Sequence, residues 1–82
     1  MTRGSVFRLV NTHGSSWGRI RPSRDDREVF FNAGSLVNPA EFASIEMDQV
    51  VDFEELPDPV NGTRATQMIL VSKESVAVGA AP

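Results

Sequence analysis

Two short segments of this 82-residue chain alternate aromatic or basic side chains with small or aliphatic ones, around Trp17 and Arg19 in the first and Phe30 and Asn32 in the second. Successive side chains of an extended strand point to opposite faces. In the first segment Gly18 and Ile20 then share one face, with Ile20 turned inward, and Trp17 and Arg19 share the other. In the second, Val29, Phe31 and Ala33 make the more apolar face, which leaves Phe30 and Asn32 outside. An exposed Trp beside an exposed Arg is an uncommon pairing on a surface that binds nothing. The chemistry such a face offers is recognition: rings stack on planar groups, and guanidinium groups both stack and pair with anions.

Residues for bond-making chemistry are scarce. His13 is the single histidine and there is no cysteine, which excludes a histidine- or cysteine-rich metal site and argues against a Ser-His-Asp triad. Asp25-Asp26 and Glu54-Glu55 are adjacent pairs whose carboxylates diverge on a strand, so they read as solvated charge. There is no Gly-rich phosphate loop. The expectation is a protein that is not an enzyme and that carries neither cofactor nor metal. Asn61-Gly62-Thr63 fits the glycosylation pattern, but Asn-Gly is read here as a hairpin turn.

The net charge is −3 and the isoelectric point about 4.9. That balance argues against wrapping duplex DNA by phosphate neutralisation, but not against stacking, which depends on ring faces more than on net charge. The charge is unevenly spread: Arg3, Arg8, Arg19, Arg21, Arg24 and Arg27 lie in the first third, and acids dominate from Glu41 to Asp58. A local basic face on an acidic protein is therefore expected. Without cysteine no disulfide braces the fold, which fits a reducing compartment. The polar start and the lack of a long apolar run give the expectation of a cytoplasmic protein with no membrane association.

The elements that must position these side chains are short strands. Val, Ile, Phe and Thr are frequent, and turn residues recur at short intervals. Strands are expected over Gly4–Val10, Trp17–Arg21, Glu28–Asn32, Val50–Glu54 and Thr63 to about Val71. Asn11 to Ser16 reads as a polar turn and Ser23 to Arg27 as a charged loop. In Asn38-Pro39-Ala40-Glu41, Asn at the cap and Pro in first position suggest a short helical turn ending near Ile45, with a plain loop as the equal alternative. Val51 and Phe53 alternate with Asp52 and Glu54, as in a half-buried strand, and Pro57-Asp58-Pro59 should break it. The domain is expected to cover residues 1–72, with a disordered tail over 73–82. Five antiparallel strands suit a small closed or partly closed barrel, although periodicity alone leaves a sandwich or an SH3-like barrel open.

Specific residues then point to a family. Gly4-Ser5-Val6, Trp17-Gly18-Arg19-Ile20 and Glu28-Val29-Phe30-Phe31-Asn32 resemble the cold-shock domain, whose pattern runs G-x-V-x-W-F, K-G-F-G-F-I and D-V-F-V-H-F. Phe42, Gln49 to Glu54 and Gly62-Thr63-Arg64-Ala65 look like that family's loop Phe, fourth strand and fifth-strand entry. The resemblance covers about residues 3–71, with the elements in order. It implies an all-β fold, a five-stranded antiparallel OB-type barrel that binds single-stranded RNA or DNA on strands two and three; a monomer is expected. It further implies that Trp17 and Phe30 are the central stacking residues, that Phe42 is a third platform, and that Asn32 stands where the family has His. Arg8 stands where many members have Trp, Arg19 replaces a Phe, Ala33 replaces the last Phe, and His13 a common Lys. About two extra residues enter the first loop. The expected nucleic-acid-binding set is Arg8, Trp17, Arg19, Phe30, Asn32, Phe42 and Arg64. The lost rings and the negative charge leave a protein-interaction module on the same fold, with a protein partner, as the alternative.

Overall fold

The computed structural model describes residues 1–71; the tail expected over residues 73–82 lies outside them. Five strands, β1 (Thr2–Thr12), β2 (Ser15–Pro22), β3 (Val29–Asn32), β4 (Val50–Asp58) and β5 (Gly62–Leu70), close into a barrel in the order β1-β2-β3-β5-β4, with β4 returning to β1. The fold is all-β, as expected. It is not wholly antiparallel, because β3 and β5 meet in parallel at Phe30 and Arg64. Closure joins strands far apart in the chain at two places, β3 to β5 and β4 to β1.

Alternation dictates which side chains fill the interior. Val6, Ile20, Val29, Phe31, Val51, Phe53 and Met68 are all fully buried, and Ala65 nearly so. Most of them sit two residues from another core side chain on the same strand or directly across from one, as in Val6 opposite Ile20 and Ile20 opposite Val29. Gly18 belongs to this inner face. A methyl group there would lie 2.5 Å from the Arg8 carbonyl oxygen and 2.6 Å from the Phe31 ring, so the absence of a side chain lets β1, β2 and that ring come together.

The connections follow turn chemistry. The first hairpin turns on His13-Gly14 alone, with Thr12 opposite Ser15 and Gly14 at φ +83°. The residues around it, read as a polar turn, are instead the ends of the two strands. The second hairpin departs from a simple Asn-Gly turn: only Gly62 takes a positive φ, +84°. The Asp58 carboxylate accepts the Val60 and Asn61 N–H groups at 2.8 and 3.0 Å, fixing the bend over Pro59. β4 also runs through Pro57 rather than ending before it. β1 accompanies β4 only as far as Phe53, so Pro57 lies on a stretch paired with β5 alone among the described strands, the kind of edge position where proline is tolerated. Between β3 and β4, Asn38 caps a 3₁₀ helix over Pro39–Ser44, its side chain accepting the Ala40 N–H at 3.3 Å. The expected helical turn is therefore present.

Candidate functional site

The register assembles a row of side chains on the outer face of four strands. Arg8 of β1 lies opposite Arg19 of β2, Arg19 opposite Phe30 of β3, and Phe30 beside Arg64 of β5. A second row places Trp17 opposite Asn32. Neighbours in the same row are about 5 Å apart, the spacing of adjacent strands.

Arg8 reaches this face through an irregularity. Continued alternation from Gly4 and Val6 would send it into the core. The pairing instead steps from Val6/Ile20 to Arg8/Arg19, so Phe7 is an extra residue on β1. Bulges of this kind re-aim side chains. This one turns Arg8 outward and Leu9 inward, where Leu9 packs against the core opposite Gly18.

The rings and cations are in mutual contact. Trp17 and Phe30 stack with centroids 6.2 Å apart and planes inclined by 24°. The Arg8 guanidinium carbon lies 5.5 Å from the Trp17 ring, and that of Arg19 lies 6.0 Å from Trp17 and 5.9 Å from Phe30. Both rings are half-buried, with part of each surface open. Phe7 and Arg21 extend the patch, with the Arg21 guanidinium 4.4 Å from the Phe7 ring. Neither was expected at the site from the sequence. The signal for Arg21 was present, since it alternates with Ile20; the position of Phe7 depended on the bulge.

Asn32 is held rather than free to swing. Its N–H donates to Ser35 Oγ at 3.1 Å, and that hydroxyl donates to Asn32 Oδ1 at 3.4 Å. The side-chain amide nitrogen makes no hydrogen bond among the described residues. It borders a shallow polar hollow lined by Gly34, Ser35, Arg64 and Thr66.

Phe42, expected as a third platform, lies elsewhere. It is only 5% exposed and packs on Phe31, centroid to centroid 5.8 Å, within the core. The 3₁₀ helix that carries it folds over the barrel end, so its ring closes the interior and is not a third outward platform. The structure thus brings Arg8, Trp17, Arg19, Phe30, Asn32 and Arg64 together and leaves Phe42 behind them.

Charge is segregated around the barrel. Arg3 forks onto Asp52 at 2.8 and 3.0 Å. Arg27 reaches both Asp25 and Glu55, the latter through two bonds of 2.7 and 3.1 Å. These contacts hold the Asp52 and Glu55 carboxyls below their ordinary range, chiefly through the hydrogen bonds from Arg3 and Arg27. Asp25 is lowered first by the Arg27 backbone N–H. By contrast Arg8, Arg19, Arg21 and Arg64 form no salt bridge among the described residues. The β4 side is thus largely neutralised, and the face carrying the rings keeps its positive charge. No family model matches this chain, and no curated protein matches its sequence.

Proposed function

We propose that this protein binds single-stranded nucleic acid on the outer face of β1, β2, β3 and β5, by base stacking on Trp17 and Phe30. One observation carries this reading: a stacked Trp17–Phe30 pair with open ring surface, flanked by four arginines that form no salt bridge among the described residues, on a chain whose net charge is −3. A folded protein gains little by leaving such groups uncovered. Rings with guanidinium groups at their edges suit a ligand that is planar and anionic at once. Each base stacked on an aromatic residue contributes about 1–3 kcal/mol. The order of the motifs along the chain supports placing it with the cold-shock domains.

Binding by stacking is tolerant of base identity, because every base has a π-face. Unstacked single strands offer those faces and a duplex hides them, so single strands are the preferred form. The test is titration of short DNA and RNA strands into the protein at low salt, read by Trp17 fluorescence. Saturable quenching by single strands is expected, with much weaker response to duplex of the same sequence. No quenching by any strand refutes the proposal.

A further inference from the structure

Taking the face to be a single-strand binding site, we infer that Arg8, Arg19 and Arg64 form a phosphate track, along which the bound strand crosses β1, β2, β3 and β5 in turn. The three arginines share one register row with Phe30 between Arg19 and Arg64. The row spans three strand gaps, about 14 Å.

Two features point to an anion as the missing component. Arg8 and Arg19 stand directly opposite each other, an arrangement of like charges that destabilises a sheet. The Phe7 bulge creates that arrangement by turning Arg8 outward, and no carboxylate lies within 4.0 Å of either group among the described residues to relieve it. Arg64 forms no salt bridge among the described residues: the Asp58 carboxylate in its hairpin feels its charge but accepts its hydrogen bonds from the Val60 and Asn61 N–H groups. A phosphodiester chain supplies what is absent: negative charges at regular intervals, each able to take a guanidinium fork. With phosphates on Arg8, Arg19 and Arg64, Phe30 and Trp17 remain for the bases. Charge therefore supplies much of the affinity where three cold-shock rings are missing.

The track has a signature that stacking lacks. Neutralising Z phosphates of a single strand gives a log–log salt slope of about −0.7Z. Three contacts predict a slope of about −2, so affinity for an oligodeoxythymidylate of about eight nucleotides should fall roughly 20-fold between about 50 and about 200 mM salt. Arg8→Gln, Arg19→Gln and Arg64→Gln should each flatten the slope by about 0.7. An abasic strand of the same length should still compete at low salt, and Arg19→Gln should weaken that competition. Binding with a wild-type slope of about −0.7 or shallower, or slopes indifferent to all three substitutions, overturns the track while leaving the stacking site standing. Absence of any quenching at low salt overturns the site and the track with it.

Discussion

Phe30 and Phe31 are neighbours in the chain with opposite assignments, and substituting each tests the whole geometry. Phe31 is fully buried, packed on Phe42 and against Gly18. Truncating a core Phe to Ala costs about 3–5 kcal/mol. A chain of this length is stable by about 4–12 kcal/mol in total, so Phe31→Ala should remove roughly a quarter or more of the folding stability. Phe30 is half-buried on the outer face, and its contacts are the Trp17 stack and the Arg19 guanidinium. Losing an aromatic pair costs about 0.5–1.5 kcal/mol and an exposed cation–π contact about 0.5–1 kcal/mol. Phe30→Ala should therefore lower stability by about 1–2.5 kcal/mol. The same change removes a stacking platform worth about 1–3 kcal/mol, which weakens single-strand binding about 5- to 150-fold. Urea unfolding followed by Trp17 fluorescence gives the stability, and oligonucleotide titration gives the affinity. Destabilisation of Phe30→Ala matching that of Phe31→Ala would place Phe30 in the core. Unchanged affinity would show that its ring is no platform. Either result refutes the reasoning.

Three further outcomes follow from individual contacts. Gly18→Ala forces a methyl against the Arg8 carbonyl and the Phe31 ring, and thermal melting should show a loss of about 1–3 kcal/mol; an unchanged melt would contradict the close packing of β1, β2 and the Phe31 ring. Asp58→Ala removes the acceptor for two turn N–H groups, and chemical denaturation should show a loss of about 1 kcal/mol with an unchanged denaturant slope. Asp25, Asp52, Glu55 and Asp58 are held below their ordinary values by hydrogen bonds present in the fold, so the unfolded chain binds protons first. Their contribution is complete above the ordinary carboxylate range and is lost as pH falls through it to the depressed values, from about pH 4 downward. Melting temperature should accordingly drop on acidification, less steeply in Arg27→Gln, and a pH-independent melt would contradict the ion pairs.

The parts of the fold legible in the sequence were those set by local pattern. Val29 and Phe31 against Phe30 and Asn32, or Val51 and Phe53 against Asp52 and Glu54, need only the two-residue strand period to be sorted. The Asn38-Pro39 cap is likewise a local signal. What escaped depends on partners distant in the chain. The Phe7 bulge is a property of how β1 meets β2, so neither the outward turn of Arg8 nor the recruitment of Phe7 could be read from β1 alone. The left-handed Gln67, φ +50°, accompanies a similar register shift in β5 against β4. Phe42 carries no periodic signal in its short helical turn, and its burial follows from closure of the barrel end over Phe31. The parallel joint of β3 and β5 is a consequence of closure as well, since strand periodicity carries no information on which distant strands meet or in which direction.

The most direct measurement of the central claim is the map of backbone amide chemical shifts as a short single strand is added. The largest changes are expected at Arg8, Trp17 to Arg21, Phe30, Asn32 and Arg64, with the outer face of β4 at Asp52 to Glu55 unaffected. Changes centred on β4, or a spectrum that does not move at saturating strand, would contradict it.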